Sequence, residues 1–409
     1  MKKIKLGVIR EGKVPPDKRV PLSPKQCKIV QTKFPNVEVI VQPSPIRSYK
    51  DEEYLAEGIT MNEDLGNCDV IIGVKEVNIC DLIPNKKFMF FSHTIKKQAY
   101  NRPLLQAILE KKIQMIDYEA LKDKNNKRII GFGRYAGIVG CYNGFRTFGL
   151  KHGLYDLKAA NACSNRKEVE EELKKVVLAS NTKIVLTGFG RVGHGAREIL
   201  DLLPIKEVTP EEFLTGKFDT PVYTQLEVED YYARQDGTPF DKKDFYAEPQ
   251  KYKSTFPSFI TEADMYIPCH FWNNNAPYIL TKEDLRTPNI RLSVVADVSC
   301  DIDEPIGCTI RSSTIVDPMY GYNPLTEQED DFMKEGVIAV MAVDNLPCEL
   351  PLDASQDFGN ELIKHIFPAM FGEDPDDIIG RGSETNLQGT LNPRFEYLLD
   401  YVNGVAVRE

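Results

Sequence analysis

Short apolar runs alternate with amphipathic stretches along the first part of the chain. The runs at Asp69–Val74 and Phe88–Phe91 are apolar almost throughout, which is typical of strands buried on both faces of a parallel sheet. Ser23 and Pro24 stand where a helix would begin, because Ser is a common N-cap residue and Pro fits the first helical turn. The alternation predicts an α/β layer with a parallel sheet. Its further expected elements are strands at Ile4–Ile9, Val37–Gln42 and Gln114–Ile116 and a helix at Leu104–Lys111.

A second series of elements begins in the middle of the chain. Tyr135–Leu150 has helical periodicity with interspersed glycines, which predicts a long helix linking two domains. Residues 209–257 are rich in Tyr, Asp, Lys and Pro with little apolar periodicity, so we expect a long irregular insertion there. The predicted strands of a second sheet are Lys183–Leu186, Asp264–Pro268, Leu292–Val298 and Val337–Val343, and a helix with apolar residues at Phe358, Leu362, Ile366 and Met370 is expected to return to the first domain.

Composition narrows the class of protein. A length of 409 residues is too great for one compact core, so two domains are expected. The net charge of -10, with Lys and Arg spread along the chain, argues against a nucleic-acid or membrane partner. The 9 cysteines are scattered and contain no C-x-x-C pair, which argues against a zinc site and a disulfide framework. We therefore expect a cytoplasmic protein without signal peptide or membrane span, either a monomer or a small homo-oligomer.

A glycine motif follows the strand Lys183–Leu186 directly. Gly188, Gly190 and Gly193 form G-x-G-x-x-G, and a helical pattern begins just beyond them. Backbone N–H groups and a helix N-terminus in this context bind the pyrophosphate of a dinucleotide. The alternative is a tight turn whose glycines serve packing alone. The acidic residue that usually meets the ribose is not evident, because Glu207 lies inside the next predicted strand and Thr209 ends it.

Two titratable residues follow apolar strands of the first domain. Lys75 comes after the run at 70–74 and His93 after the run at 88–91, at the strand ends where open α/β sheets bind ligands. Burial lowers a lysine pKa toward neutrality, which suits proton transfer. Taken alone, His93 is better interpreted as a structural histidine at a strand end. Arg19 stands in a charged segment that is either a solvated loop or a helix entrance where the guanidinium could bind a carboxylate. The histidine spacing provides no metal-ligand motif, so no catalytic metal is expected.

Several stretches taken together resemble a known superfamily. Arg10-Glu, Lys18-Arg19-Val-Pro-Leu-Ser-Pro, Gly73-Val-Lys75-Glu and Phe91-Ser-His93-Thr resemble the N-terminal domain of alanine dehydrogenases and transhydrogenases. Ile116-Asp-Tyr-Glu-Ala-Leu, Gly131-Phe-Gly-Arg-Tyr-Ala-Gly, Ala296-Asp-Val-Ser-Cys-Asp and Val343-Asp-Asn-Leu-Pro-Cys-Glu-Leu-Pro resemble lysine-forming saccharopine dehydrogenase and, more strongly, the lysine–2-oxoglutarate reductase half of aminoadipic semialdehyde synthase. The resemblance ends near Phe371 and gives no expectation for the tail after Gly372.

This resemblance implies two Rossmann-like α/β domains with parallel sheets and an active-site cleft between them. Residues 1–138 and 343–409 would form a discontinuous substrate domain, and 139–342 an inserted dinucleotide-binding domain. The implied reaction is the reversible interconversion of saccharopine with lysine and 2-oxoglutarate, with NAD or NADP as cofactor. Hydride transfer would oxidise the secondary amine to an imine, and water attack would give a carbinolamine that collapses to the two products.

The resemblance also implies residue roles at matching positions. Lys75 would exchange the proton of the secondary amine, and His93 would act as acid or base on water and the carbinolamine. The residues implied to meet substrate charges are Arg19, Lys96, Glu119 and Arg128. The residues implied to contact the cofactor are Gly188, Gly190, Arg191, Val192, Gly193, Asp297, Asp301 and Asp344.

Two other functions and one choice of cofactor stay open at this point. One is an alanine dehydrogenase or another amino-acid dehydrogenase on the same scaffold. The other is a non-catalytic nucleotide-binding subunit, in which Lys75 and His93 would have no catalytic role. The glycine motif is nearer the pattern of the reductases, which favours NADPH, but NAD stays an alternative. The physiological direction is also open.

Overall fold

A computed structural model describes residues 3–288 and 290–404. The chain divides into two compact units, one formed by Met1–Phe132 with Pro351–Glu409 and the other by Gly133–Leu350. The first unit is therefore discontinuous in sequence. Its boundaries differ from those expected at 138 and 342 because the helix that begins at Gly133 belongs wholly to the second unit.

The strands occur in the following order along the chain. They are β1 (Ile4–Val8), β2 (Val37–Val41), β3 (Thr60–Met61), β4 (Val70–Ile72), β5 (Lys87–Phe90), β6 (Gln114–Asp117), β7 (Lys183–Thr187), β8 (Lys206–Glu207), β9 (Val222–Leu226), β10 (Tyr232–Arg234), β11 (Tyr252–Ser254), β12 (Met265–Pro268), β13 (Val294–Ala296), β14 (Met319–Asn323), β15 (Gln328–Asp330) and β16 (Ile338–Met341).

The helices occur between and after these strands. They are α1 (Pro24–Lys33), α2 (Asp51–Ala56), α3 (Arg102–Glu110), α4 (Gly133–His152), α5 (Arg166–Leu173), α6 (Arg191–Leu200), α7 (Pro210–Thr215), α8 (Val228–Tyr231), α9 (Lys242–Ala247), α10 (Pro257–Ile260), α11 (Pro351–Glu361), α12 (Phe367–Phe371), α13 (Ile378–Gly382) and α14 (Leu399–Val402). A π-helical turn, Leu362–Ile366, joins α11 to α12, and short 3₁₀ turns lie at Ile79–Asp81, Thr94–Lys96, Ala99–Asn101, Ala160–Ala162, Pro249–Lys251, Asp284–Arg286, Leu346–Glu349 and Pro393–Leu398.

The sheet of the first unit is parallel throughout. Its strand order is β3-β2-β1-β4-β5-β6, so the order reverses between β1 and β4. Open α/β sheets bind ligands beyond the carboxyl ends of their strands at such a reversal. The predicted cap of α1 is confirmed, because the Ser23 hydroxyl accepts the Gln26 backbone N–H in a capping box. The C-terminal helix region supplies Phe358 and Ile366 to the hydrophobic core of this unit.

The second unit contains a larger mixed sheet with the order β15-β14-β16-β13-β12-β7-β9-β8, in which β14 pairs antiparallel with both of its neighbours. Glycines let α4 approach α6 closely on this sheet. A Cβ at Gly137 would lie 1.9 Å from the Val192 carbonyl oxygen, and one at Gly195 would lie 1.9 Å from that of Arg134. Gly137 in α4 and Gly195 in α6 are therefore explained by the close backbone-to-backbone packing of these two helices.

The prediction of an irregular insertion at residues 209–257 is wrong. This segment contains β9, which pairs along its length with β7 at the centre of the sheet, and the antiparallel pair β10–β11. Every residue of β9 is buried, including the polar Thr224 and Gln225. These polar residues concealed the apolar run by which a buried strand is normally recognised.

Candidate active site

Lys75 and His93 lie at the same edge of the first unit's sheet. Lys75 follows β4 and His93 follows β5, and these strands are parallel neighbours with Ile72 paired to Met89. Parallel strands present their carboxyl ends at one edge, so both residues lie beyond it. The structure therefore brings together two residues that are well separated in the sequence.

Lys75 is held in an environment that disfavours its charge. Burial lowers the pKa of Lys75, and the nearby cations Arg19 and Lys13 lower it further. The Glu11 carboxylate accepts the backbone N–H groups of Val74 and Lys75 at 2.6 and 2.8 Å, which fixes the main chain at this position. A lowered pKa makes the neutral, basic form of the lysine more accessible, as a general base requires.

The imidazole of His93 is oriented by Glu76, the residue after Lys75. His93 Nδ1 lies 2.6 Å from Glu76 Oε1, and Lys13 Nζ lies 3.1 Å from Glu76 Oε2. Burial raises the pKa of Glu76, but the hydrogen bond with His93 and the charge of Lys13 outweigh it and bring the pKa to about 2. Because an ionised Glu76 only accepts, Nδ1 of a neutral His93 carries the proton and Nε2 is the basic nitrogen. Sequence reasoning assigned no role to Glu76.

Arg19 occupies a different environment from the one that the sequence suggested. Its guanidinium is buried and forms two hydrogen bonds with Asp17, Nε to Oδ1 at 3.0 Å and Nη2 to Oδ2 at 2.6 Å. It also lies over the Phe132 ring, 4.2 Å from the centroid. Asp17 therefore occupies two of the guanidinium donors that a substrate carboxylate would use. The structure instead supports an electrostatic role, since Arg19 lowers the pKa of Lys75.

Three residues expected to meet substrate charges do come together. Glu119 Oε1 lies 3.7 Å from Lys96 Nζ and 3.6 Å from Arg128 Nη1. Both cations are substantially exposed, whereas Glu119 is nearly buried. Within residues 3–288 and 290–404, Glu119 Oε2 is buried and has no hydrogen-bond partner. The cluster therefore offers two cations to a carboxylate and one unpartnered oxygen to an ammonium group.

The glycine motif of the second unit forms a strand-to-helix turn between β7 and α6. Gly188 has a φ of +95°, and a Cβ there would lie 2.5 Å from the Cys269 carbonyl oxygen. Gly193 is equally restricted, because its Cβ would lie 2.0 Å from the Gly188 carbonyl oxygen. Gly190, the N-cap residue of α6, faces open space with no described atom within 4 Å of its Cβ position. No described side chain caps this helix, so its N-terminus is available to an anion.

A cavity of about 620 Å³ opens in front of this turn. Gly188, Gly190, Arg191 and Val192 line it, whereas Gly193 packs behind the loop and is not among the lining residues. The volume and the open glycine fit a dinucleotide, for which pockets of this size are typical.

The acidic residue missing from the sequence analysis is Glu227. It directly follows β9, the strand beside β7, and it lines the same cavity. This is the position from which an acidic side chain reaches the ribose hydroxyls in dinucleotide-binding folds. It was missed because β8 and α7 intervene in the sequence, so Glu227 lies beyond the usual spacing. Lys242 Nζ contacts Glu227 Oε2 at 3.1 Å.

His270 also lines the cavity, and sequence reasoning gave it no role. Its Nδ1 lies 2.9 Å from the Thr187 hydroxyl, whereas its Nε2 is buried without a hydrogen-bond partner in the described part of the chain. Burial lowers the pKa of His270 to about 3, so the imidazole is neutral. A buried nitrogen without a partner at the wall of a cavity is a fitting contact for a polar ligand.

The three aspartates expected at the cofactor differ in their surroundings. Asp301 lines the cavity. Asp297 is fully buried, and its carboxylate accepts hydrogen bonds from the backbone N–H and hydroxyl of Ser299 and from the hydroxyl of Thr309. These hydrogen bonds indicate that Asp297 stabilises the loop after β13. Asp344 is exposed shortly after β16 and is not among the cavity-lining residues.

The described residues contain no metal-binding cluster and no membrane-spanning helix. Among the described residues, no group of three or more His, Cys, Asp and Glu side chains is arranged to hold a metal ion. No described helix has the length and apolar character needed to cross a membrane. All 9 cysteines carry free thiols.

Comparisons with known proteins agree with this geometry. Residues 7–139 match the family of alanine dehydrogenase/PNT N-terminal domains. The chain is 30% identical over 400 residues to the alpha-aminoadipic semialdehyde synthase of Arabidopsis thaliana, which covers 87% of this chain and 37% of that protein. It is 26% identical over 376 residues to the lysine-forming, NAD(+) saccharopine dehydrogenase of Schizosaccharomyces pombe, covering 87% of this chain and 90% of that protein. The chain is similar to saccharopine dehydrogenases over most of its length. It spans less than half the length of the semialdehyde synthases that it matches.

Solved structures show the same fold as this chain. An L-alanine dehydrogenase superposes with a TM-score of 0.63 at 17% identity, covering 98% of this chain and 100% of the other. A transhydrogenase from Sinorhizobium meliloti superposes with a TM-score of 0.55 at 14% identity, covering 96% and 100%. The expected α/β fold with two Rossmann-like domains is thereby confirmed.

Proposed function

We propose that this protein is an NAD-dependent oxidoreductase that interconverts saccharopine with lysine and 2-oxoglutarate. The observation that carries the proposal is the convergence of Lys75 and His93 at one sheet edge, where Glu76 connects them. A lysine with a lowered pKa and a histidine with a fixed tautomer are the proton carriers that oxidation of an amine followed by imine hydrolysis requires. The homologues named for this reaction supply the substrate class.

The proton transfers can be assigned to residues of this chain. Lys75, as the neutral amine, removes the proton from the secondary ammonium of saccharopine and leaves the nitrogen lone pair that the oxidation needs. The nicotinamide of a bound cofactor would supply the hydride acceptor, and loss of hydride from the neutral amine would leave a protonated imine. His93 Nε2 then removes a proton from the water that attacks the imine carbon. His93, protonated at that step, returns its proton as the carbinolamine breaks into lysine and 2-oxoglutarate.

The substrate charges fit the cluster around Glu119. Lys96 and Arg128 are placed to bind a carboxylate, and the unpartnered Oε2 of Glu119 is placed to accept a hydrogen bond from an ammonium group. Saccharopine carries three carboxylates and a primary ammonium besides its secondary amine, whereas alanine carries one carboxylate and one ammonium. The Glu119 cluster can bind one carboxylate and one ammonium of either, so the choice of saccharopine rests on the relatives named for it.

We propose NAD rather than NADP as the preferred cofactor. Gly188, Gly190, Arg191 and Val192 would hold the pyrophosphate, and Glu227 would accept hydrogen bonds from the ribose hydroxyls. A carboxylate at that position repels the phosphate that NADP carries on its ribose. Replacement of Glu227 by Gln should lower the ratio of NADH to NADPH affinity at least tenfold. If Lys242→Met instead removes NADPH binding while Glu227→Gln changes nothing, Lys242 reads a ribose phosphate and the preference for NAD is wrong.

The substrate assignment is tested by turnover with two substrate pairs. The purified protein should oxidise NADH with lysine plus 2-oxoglutarate much faster than with pyruvate plus ammonia. The reverse order would identify an alanine dehydrogenase activity instead. Both rates should be measured by the absorbance of NADH.

The assigned roles are tested by Lys75→Met and His93→Gln. Each should reduce turnover at least tenfold and leave NADH affinity unchanged, because general acid–base groups contribute roughly 100-fold or more. Lys28→Met, at an exposed position of α1, is the matched control and should keep the wild-type rate. Wild-type rates in both variants would overturn the assignment of these roles to Lys75 and His93.

A further inference from the structure

Four buried polar side chains form a cluster that includes both sequence neighbours of His93. Ser92 and Thr94 flank His93 after β5, and Asp117 is the last residue of β6. Glu384 comes from the C-terminal tail, which bridges to β6 through Ser383 and Ile116. All four polar side chains are almost completely buried. The tail after Gly372 therefore contributes a carboxyl group that is hydrogen-bonded to the residues on both sides of a predicted catalytic residue.

The oxygen atoms of these side chains form a continuous chain. The Ser92 hydroxyl makes a very short contact with Asp117 Oδ2, and the Ser92 and Thr94 hydroxyl oxygens are 2.6 Å apart. The Thr94 hydroxyl oxygen is in turn 2.6 Å from Glu384 Oε2. Each of these three contacts is a hydrogen bond and needs one hydrogen atom between its oxygens. The two hydroxyl groups supply only two hydrogens, so one of the carboxyl groups must supply the third.

The remaining hydrogen bonds indicate which carboxyl group is protonated. Asp117 accepts two backbone N–H groups, from Ser92 at 3.1 Å and from Glu119 at 2.6 Å, and these favour its ionised form. The Glu384 carboxyl has no backbone N–H donor among its described hydrogen bonds, and its partners are the hydroxyls of Ser92 and Thr94 and the carboxyl of Asp117. Burial raises the pKa of Glu384, and the neighbouring Asp117 raises it further. Neutral Glu384 therefore donates to Thr94, Thr94 donates to Ser92, and Ser92 donates to ionised Asp117.

We propose that Glu384 is a protonated positioning residue, which fixes the catalytic orientation of His93 through the Thr94–Ser92–Asp117 hydrogen-bond chain. His93 has a φ of +54°, a left-handed conformation that is uncommon for a residue other than glycine and needs support from its surroundings. The chain provides that support by fixing the residues on both sides of His93. In its effect on turnover, this inference rests on the proposed function.

Loss of the Glu384 proton at high pH should weaken the support that the hydrogen-bond chain gives to the backbone conformation of His93. With Glu384 ionised, the Ser92–Thr94 contact would have no hydrogen, and two carboxylates would repel each other in a buried site. The other titratable groups that interact with this pair are Tyr118, Glu119, Tyr397 and Tyr401. Each tyrosine is neutral in the range considered, since burial raises its pKa.

Glu384→Gln separates protonation from simple packing. The amide has nearly the shape of the neutral acid, can donate to Thr94 and cannot ionise. We expect its kcat at pH 7 to lie within about threefold of wild type, whereas Glu384→Ala should lower kcat at least tenfold. As the pH rises, kcat of the wild type should fall and that of Glu384→Gln should persist. Parallel profiles of wild type and Glu384→Gln, or an equal loss in both variants, would overturn the proposal.

Two further measurements keep the inference testable if Glu384→Ala does not fold or if the substrate is another amino acid. Infrared difference spectra at neutral pH should show a buried, protonated carboxyl band in the wild type that is absent in Glu384→Gln. Thr94→Ser keeps the hydroxyl and should keep the rate and pH profile, whereas Thr94→Val breaks the chain and should lose at least tenfold in kcat. Absence of the infrared band refutes the protonation even where no turnover is seen. Absence of lysine-dependent turnover with the band present refutes only the proposed function.

Discussion

The two glycines at the start of α6 allow a paired test of the dinucleotide site. Gly190 has a φ of -77° and a ψ of -172°, which an alanine adopts without strain, and its Cβ would meet no described atom within 4 Å. The Cβ of an alanine at Gly193 would instead lie 2.0 Å from the Gly188 carbonyl oxygen. Gly190→Ala therefore fills only the space left for a ligand, whereas Gly193→Ala forces the protein backbone to move.

Gly190→Ala should change mainly the free energy of NADH binding, whereas Gly193→Ala should change mainly the free energy of unfolding. Gly190→Ala exchanges a tolerated N-cap residue for a poor one but also reduces the entropy of the unfolded chain, so its free energy of unfolding should change by less than about 1 kcal/mol. NADH affinity should fall at least tenfold, which corresponds to about 1.4 kcal/mol, because the methyl group occupies the space over the helix N-terminus. Gly193→Ala should lower the free energy of unfolding by about 1–3 kcal/mol or more, as overpacking does.

The assay combines NADH titration by fluorescence with thermal unfolding of the same preparations. At about 2–4 °C per kcal/mol for a unit of this size, Gly190→Ala should melt close to wild type and Gly193→Ala several degrees lower. A Gly190→Ala protein that folds normally and binds NADH with wild-type affinity would refute the assignment of the pyrophosphate to this turn. A selective loss of stability in Gly190→Ala would show that the open space is needed by the protein itself.

Three further predictions concern the first unit. Glu76→Gln should lower kcat at least tenfold and leave NADH affinity unchanged. The amide can either accept from or donate to His93 Nδ1, so it no longer fixes the tautomer of the imidazole. A wild-type kcat would contradict the role of Glu76 in orienting His93. Asp17→Asn should lower the free energy of unfolding, measured in urea, by about 3–5 kcal/mol, because it leaves the buried Arg19 cation without its counter-charge. A change below about 1 kcal/mol would contradict a buried Asp17–Arg19 ion pair. The Glu384 pKa is raised on folding, so its contribution to stability is complete below pH 4.5 and is lost as the pH rises toward the folded-state pKa. The wild type should therefore lose about 1.4 kcal/mol per pH unit relative to Glu384→Gln above about pH 5, and equal slopes in the two proteins would show that Glu384 is not protonated in the folded state.

Local patterns were sufficient for much of the candidate site. Lys75 and His93 were recognisable because each follows an apolar run, and a parallel strand presents its carboxyl end where ligands bind. The glycine motif was recognisable because a strand precedes it and a helix follows. Glu227 was not, because β9 contains the polar residues Thr224 and Gln225, which are buried within the sheet and hide its periodicity.

The environment of each charged residue depended on partners that no local pattern reveals. Arg19 seemed suited to a substrate carboxylate, yet the folded chain buries it against Asp17. The spacing of two residues allowed this pair, but only burial of both side chains decided that it forms and that the guanidinium is enclosed. The same burial brings Arg19 near Lys75, where it affects a pKa that the sequence could only suggest would be low.

The amino-acid sequence by itself determined the α/β class, the strand-end positions of the lysine and histidine, and the glycine turn, because each depends on residues close together along the chain. Strand order and burial decided the rest. Glu384 lies 292 residues beyond Ser92, and only the return of the tail to β6 brings their oxygens together in a place that excludes water. Hydrogen-bond partners and protonation states depend on distances between such remote residues and on their loss of hydration, which are properties of the tertiary structure.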